Sequence, residues 1–339
     1  MAINGRSTIA DEVSVVYTRQ MLDVARPNLI FRQIAAQAEY SYSNPGGMGT
    51  LTAKWRRYEK LTKRTDALAE GVTPAASGMI ITNYTATPAQ YGDYAIYTDV
   101  VAASSMDNVI LEFAEKMGIE MQEVENYVLM DAFDGGTSVK YPSAITLRTN
   151  ITSTDYLTAT MMQQVTTLLE SQNAKYFFAN MINASTGIGT SPVPPAYIAV
   201  VHTRIGYTVR KFTNFVPVEK YASTASILPG EIGFLGQVRY VQTTEAPVYT
   251  AGGSGGIDVY ATLVFGAESV GATDCSALIK GPTGETIGTV SQFIHKELGS
   301  GGTSDSLNQR GSVGFKTAIA GVILNQNWLY RLESAAESV

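Results

Sequence analysis

The chain has 339 residues, of which 45% are hydrophobic and 16% charged, with a net charge of −6 at pH 7. That length can bury a sizeable core in one to three domains, while a charged share well under the ~25% of ordinary soluble domains implies a surface covered by partners. The negative balance excludes nucleic-acid binding by the electrostatics of the whole chain. One cysteine, Cys275, and two histidines, His202 and His295, exclude internal disulfides and all but exclude a Cys/His zinc site.

Residues 1–44 open with a weakly amphipathic segment, 9–24, stopped by Arg26-Pro27 and followed by the apolar cluster Leu29, Ile30, Phe31 and Ile34. This reads as an arm lying on something else, since it is too small for a core of its own. Arg6, Asp11, Glu12 and Arg19 interrupt the stretch a signal peptide would need, and nowhere is there a run of ~20 apolar residues to span a bilayer. The chain is expected to be a cytosolic product, with the glycosylation-like triplets at Asn83, Asn150 and Asn183 as chance matches.

Residues 45–98 carry two β-patterned runs, 50–61 and 80–100, joined by a charged, Ala- and Gly-rich stretch at 63–77 that reads as the tip of a long hairpin. Lys54, Arg56, Arg57, Lys60, Lys63 and Arg64 make the first run basic, interleaved with Trp55 and Tyr58. Tyr84, Tyr91, Tyr94 and Tyr97 make the second aromatic. A single-stranded nucleic-acid groove uses this mixture, and so does an ordinary solvated ribbon. A two-stranded ribbon of this length must lean on another surface. The preferred reading is a contact with a neighbouring copy, whose acidic helix would supply Glu112, Glu120 and Glu123 as counter-charges.

That helix, residues 104–134, has the clearest periodicity in the chain. Met106, Ile110, Phe113, Met117, Met121, Val124 and Val128 recur at spacings of four and three, and Glu112, Glu115, Glu120, Glu123 and Glu125 are expected on the remaining surface. Asp107 suits the N-terminus and Gly135-Gly136 the stop. At about 27 residues the helix spans roughly 40 Å, a spine across a flat, extended subunit.

Beyond it, 141–151 reads as irregular, and Asp155 is expected to cap a helix bearing Leu157, Met161, Val165, Leu168 and Leu169 that ends near Ser171. A loop at 187–195 leads to a buried strand at 196–201, a short helix at 203–212 and a loop at 215–229. Strands are expected at 232–243 and 257–265, separated by a turn at 251–256, with a strand–turn pair at 278–294. The last segment, 312–333, is expected to return to the long helix. The order implies an α+β protein without internal repeats.

Chemical motifs are absent. Gly281-Pro-Thr-Gly-Glu-Thr lacks the lysine and spacing of a P-loop, Gly252 to Gly256 fits no dinucleotide fingerprint, and no Gly-x-Ser-x-Gly occurs. Cys275 has no histidine near it in sequence. His202 after a buried strand reads as a structural group, with an α+β enzyme using it as the remote alternative. No cofactor and no metal are expected.

Two passages carry a specific likeness. Gly230-Glu-Ile-Gly-Phe-Leu-Gly-Gln-Val-Arg-Tyr-Val-Gln-Thr-Thr-Glu-Ala, with Gly233, Gly236, Arg239 and Glu245, resembles a segment of tailed-bacteriophage major capsid proteins. Asp305-Ser-Leu-Asn-Gln-Arg-Gly-Ser-Val-Gly-Phe-Lys, with Asn308, Gln309, Arg310, Gly311 and Gly314, runs on into Asn327-Trp-Leu-Tyr-Arg-Leu-Glu. It is similar to the C-terminal signature of the N4-like branch. Val200-Val-His-Thr also resembles the family, although Thr203 and Ser306 replace prolines common there.

The resemblance implies the Hong Kong-phage-type coat fold. Its parts would be an N-terminal arm (1–44), an extended loop (45–98), a peripheral domain with the spine helix 105–134 (99–154 and 290–339) and an axial domain (155–289). It further implies pentamers and hexamers closing an icosahedral shell around double-stranded DNA, without sequence-specific binding or membrane. Any scaffold, portal or decoration protein would be a separate product. The shell would form in the host bacterial cytoplasm. A nanocompartment shell of the same fold is the nearest alternative.

Overall fold

The computed structural model describes residues 29–38, 52–65, 67, 70, 71, 73, 76–104, 109–180, 191–221, 227–273, 278–280, 286–289, 291–300 and 305–337. The expectations for 9–24, Met106, Asp107, Asn183, Cys275, the turn at 281–284 and the side chain of Ile110 fall outside these residues.

In chain order the helices are α1 (Phe31–Ile34), α2 (Asp99–Ser104), α3 (Val109–Asp134), α4 (Ala159–Ser171) and α5 (Thr203–Arg210). The strands of the first half are β1 (Ala36–Ala38), β2 (Ala53–Tyr58), β3 (Ile81–Ala86), β4 (Ala89–Thr98), β5 (Val139–Lys140), β6 (Tyr197–His202) and β7 (Val216–Pro217). They are followed by β8 (Glu231–Leu235), β9 (Val238–Thr243), β10 (Val248–Tyr249), β11 (Val259–Phe265), β12 (Val270–Thr273), β13 (Leu278–Lys280) and β14 (Thr286–Thr289). The chain closes with β15 (Gln292–Lys296), β16 (Arg310–Ile319), β17 (Gly321–Ile323) and β18 (Leu329–Ser334).

An eight-stranded sheet runs β5-β18-β11-β6-β9-β8-β7, with β10 added beside β11. Its central strands β6 and β11 are largely apolar, His202 and Thr262 apart, because both faces are covered. On one face α4 and α5 bring Met162, Val165, Leu169, Ile205 and Val209 against Tyr197, Val201 and Tyr240. On the other, Ile198, Val200 and Phe265 meet Phe133 of α3 and Phe31 of the arm. The cap of α4 is Thr158, whose hydroxyl accepts from Met161 N, and not Asp155. Asp155 lies three residues too early and instead accepts from the backbone N and hydroxyl of Thr152, closing its own turn.

The run read as one strand over 80–100 is two. Pro88 removes a ladder donor and ends the first half. β3 pairs with β2 as the ribbon, whereas β4 pairs over ten residues with β16, in a three-stranded sheet completed by β15. After Thr98 the chain turns helical, so Val100 belongs to α2. β16 is the strand that lies along the long helix. The chain's last strand, β18, instead joins the large sheet between β11 and β5. The loop expected over 215–229 contributes β7, a short edge on β8.

Helix α3 serves two cores. Phe113, Met117, Met121 and Val124 pack on Tyr97, Val313 and Phe315 of the small sheet. One turn further on, Leu129 and Phe133 enter the large core, where the Phe133 ring lies 5.5 Å from Phe31 and 4.7 Å from Phe265. The sequence stripe ended on Val128, but the fully buried apolar positions at this end are Leu129 and Phe133, because the large core meets α3 on a different side from the small sheet.

Between the two halves stand Glu125 and Asn126, each 1% exposed. Glu125 is therefore no surface residue. Its carboxylate accepts from Arg32 (2.5 Å) in the arm and from Thr317 Oγ1 (2.7 Å) in β16, while Asn126 Oδ1 accepts from Phe31 N (3.1 Å).

A second buried carboxylate ties the C-terminal end of α3 to the large sheet. Glu333, fully buried, accepts from Arg148 Nε and Nη2, both at 2.6 Å, and from Arg331 Nε at 2.8 Å. Arg331 also donates to the carbonyl of Asp134, whose carboxylate accepts from Tyr249 OH at 2.5 Å, and the Arg148 guanidinium lies 3.3 Å from the centre of the Tyr249 ring. Removing Arg148 strands part of a buried charge. Arg148→Ala is expected to cost about 2–4 kcal/mol, read as a lower denaturant midpoint at unchanged slope, with Arg148→Ala/Glu333→Gln recovering part of the loss.

Candidate functional site

The ribbon sorts its side chains by alternation. Registered pairs Trp55↔Tyr84 and Arg57↔Thr82 face the body, while Lys54↔Thr85, Arg56↔Asn83 and Tyr58↔Ile81 face outward. Consequently the basic run is not one surface. Arg57 donates twice to Glu59 (2.8 and 3.0 Å) and once to the Leu324 carbonyl (3.1 Å), which holds the ribbon to its own subunit. Trp55 packs over Gly271, where a Cβ would come within 3.0 Å of the indole. A cleft of about 850 Å³ remains between ribbon and body, lined in part by Trp55, Tyr84 and Trp328. Lys54, Arg56, Lys60, Lys63 and Arg64 are exposed, and beside them stand exposed Tyr58, Leu61, Met79, Ile80 and Ile81. The apolar share of this surface went unnoticed in the sequence because Met79, Ile80 and Ile81 read equally well as a buried strand.

The acidic residues of α3 also divide. Glu112 shares its charge with Lys116 one turn on, at 3.9 Å. Glu120 and Glu123 lie where α3 crosses β4 and the segment after β9. Burial holds the Glu120 carboxyl above its ordinary range, and neighbouring Asp93 and Glu123 add to the effect. Burial likewise raises Glu245, again with Glu123 contributing. Asp93, on the same face of β4 as Tyr91 and Tyr97, was not singled out in the sequence. Among the described residues no Lys or Arg forms an ion pair with Asp93, Glu120, Glu123 or Glu245.

The residues carrying the family likeness are structural. Gly230 and Gly236 occupy turns at either end of β8 with positive φ. Gly233 has φ +156°, and a Cβ there would lie 2.4 Å from the Val216 carbonyl and 2.5 Å from the Phe215 ring, so only glycine lets β7 close on β8. Arg239 is 1% exposed. Its guanidinium sits 4.0 Å from the centre of the Phe178 ring, with Glu231 at 3.6 Å, and Glu231 is further fixed by Tyr221 OH and Leu228 N.

In the C-terminal signature, Asn308 takes a left-handed φ of 55°, and buried Asp305 accepts from Arg310 N at 2.7 Å. Gln309 accepts from Asp99 N through its carbonyl. Gly311 lies beneath the Tyr97 ring, 2.3 Å from where a Cβ would stand, and that ring's hydroxyl pairs with His295 Nε2 at 2.9 Å. A Cβ on Gly314 would lie 2.7 Å from the Asp93 carbonyl. The signature therefore fixes the pairing of β16 with β4.

His202 caps α5. Its Nδ1 accepts from Arg204 N at 3.2 Å, its ring packs 4.9 Å from Tyr260, and burial with the nearby Arg204 charge holds it below the usual histidine range. These contacts give it a structural task at the strand–helix junction.

No protein-family model matches the chain. No curated protein matches it either. Solved structures do match it over nearly its whole length. A chain in the capsid of Ralstonia phage GP4 is 8% identical, with a TM-score of 0.69 and 96% of both chains covered. The capsid asymmetric unit of cyanophage Pam1 gives 14%, 0.65 and 98% of both chains. The capsid of cyanophage P-SCSP1u gives 12% and 0.63, covering 97% of this chain and 94% of that one. Identities this low speak for the fold alone: the chain has the α+β fold of these phage capsid chains, the Hong Kong-phage-type coat fold expected from its sequence.

Proposed function

We propose that this chain is the major capsid protein of a tailed phage, of the N4-like branch, assembling as pentamers and hexamers into the icosahedral shell that encloses double-stranded DNA. The observation that carries this reading is the agreement of fold with phage capsid chains over almost the whole length of both partners. In this reading the chain acts by self-assembly in the host bacterial cytoplasm and resides in the virion capsid, without catalytic residues or cofactor. Scaffold, portal and decoration proteins are separate partners. Residues 1–44 act as arm, 45–98 as extended loop, 99–154 and 290–339 as peripheral domain and 155–289 as axial domain.

Contacts between copies use the outer face of the ribbon, with Lys54, Arg56, Lys60, Lys63 and Arg64 against the acidic face of a neighbouring α3 at Glu112, Glu120 and Glu123. The subunit-internal pairing of Arg57 separates its role from that of Arg56. Each exposed pair contributes only about 0.2–1 kcal/mol, so charge sets register and partner choice while apolar contacts supply affinity.

Expressed chain is expected to form closed particles in negative-stain electron microscopy, and particles purified from infected cells to contain DNA. A small oligomer with hydrolase activity would overturn the reading, and protein cargo in place of DNA would favour a nanocompartment. Arg56→Glu is expected to lower particle yield while the unassembled subunit melts normally, whereas Arg57→Glu lowers the melting temperature itself.

The raised carboxyls give a pH test on the unassembled subunit. Its folded state binds a proton at Glu120 more readily than the unfolded chain does, so this group's penalty is absent below the unfolded value of about 4.3. The penalty grows as pH rises through the folded value. Glu120→Gln is therefore expected to stabilise the subunit at pH 7, with the difference vanishing near pH 4 in parallel denaturation curves.

A further inference from the structure

The small sheet β15-β16-β4 gives one face to α3 and turns the other outward. Tyr97, Val313 and Phe315 pack towards the helix, so by alternation Tyr94, Ile96, Ser312, Gly314 and Lys316 point the opposite way. The ladder sets the outer residues in three rungs: Lys296, Ser312 and Ile96; Ile294, Gly314 and Tyr94; Gln292, Lys316 and Gly92. The middle rung is apolar, with Tyr94 66% exposed and Ile294 39%, and Ile96 on the next rung is exposed as well. Gly314 and Gly92 leave the sheet bare between these side chains, forming a trough of about 520 Å³. A Cβ at either glycine would come within 2.7 Å of a neighbouring carbonyl, so the floor of the trough stays open. Lys296 and Lys316 stand towards its opposite ends. Among the described residues neither lysine forms an ion pair.

We propose that this face docks an extended acidic segment of a separate polypeptide, one that carries an apolar side chain two residues from each of two carboxylates. The rungs of Lys296 and Lys316 lie four residues apart, roughly 13 Å along the strands. An extended segment has the same rise and puts every second side chain on one face. Glu-x-Leu-x-Glu therefore sets its carboxylates over the two lysines and its leucine over Gly314, between Tyr94 and Ile294. Exposed apolar side chains framed by charge are the make-up of a protein contact, and the unpaired lysines select the sign of the partner. The ribbon of a second copy is the wrong occupant, because Arg56 and Lys60 stand beside its exposed apolar residues. Nucleic acid fits less well, since Ile96 and Ile294 offer no ring on which a base could stack. The inference does not rest on the shell reading: it concerns one face of the subunit, whatever the chain assembles into.

The test irradiates the full-length chain, at low ionic strength, with the peptide Ser-Glu-Thr-Bpa-Thr-Glu-Ser, in which Bpa is the photo-crosslinker p-benzoylphenylalanine. Adducts within residues 92–96, 292–296 or 312–316 are expected, and are suppressed by an excess of the same peptide with leucine at its centre and by raised salt. A probe with lysine in place of both glutamates is expected to give none. Lys296→Glu/Lys316→Glu is expected to cut the yield with the acidic probe about tenfold, to favour the lysine probe instead, and to leave subunit melting unchanged. No adduct, adducts spread over the surface, or equal yields from the two probes would overturn the docking face. Suppression by a short DNA duplex as strong as that by the leucine peptide would give the face to nucleic acid and overturn it too. In a second arm the crosslinker replaces Tyr94 in the chain itself and no peptide is added. An adduct to residues 1–28 or to another copy would show the face already occupied and count against the proposal, whereas an open face gives none. Particle formation is read separately, so the shell reading stands or falls on its own test.

Discussion

One constraint organises the fold: helix α3 runs between two cores and, with β16 beside it, contributes side chains to both. Its first half covers a small three-stranded sheet and its second half completes the core under the eight-stranded sheet. Neither core surrounds it, so one flank of the helix stays open along its length. Its 26 residues make a rod about 39 Å long, enough to reach from one core to the other.

Buried charge is placed where the layers join. Glu125 holds α1, through Arg32, and β16, through Thr317, to the middle of α3. Glu333, with Arg148 and Arg331, holds the large sheet to its end. A buried ion pair adds little net stability against well-packed apolar groups, yet it tolerates only one arrangement of its partners. The surface shows the converse economy. Where α3 crosses β4, carboxylates gather with raised affinity for protons, while cations and apolar side chains gather on the ribbon.

The sequence by itself determined a good deal. The spacing of Phe113, Met117, Met121 and Val124 gave the long helix. The unbroken apolar run gave β6, whereas the run 232–243, read as one strand region, divides at Gly236 into β8 and β9. Among the residues behind the likeness to capsid proteins, Gly233 lies against Phe215, Gly311 under Tyr97, and Arg239 against Phe178. Such positions are legible because a single residue type satisfies the backbone or the pocket.

Only the tertiary structure decided the rest, because it depends on partners far apart in sequence. Glu123 and Glu125 lie about 200° apart on the helix, but periodicity alone does not supply the partners that bury one of them. Glu125 is buried because Arg32, 93 residues earlier, and Thr317, 192 residues later, converge on it. Alternation predicts that Arg56 and Arg57 face opposite ways, but which way is inward depends on where Leu324 lies. The split of the 80–100 run was signalled by Pro88, while the choice of β16 over β2 as partner for its second half was not. Pairing in a sheet is settled by competition among strands for one register, and that competition is decided only when the whole chain has folded.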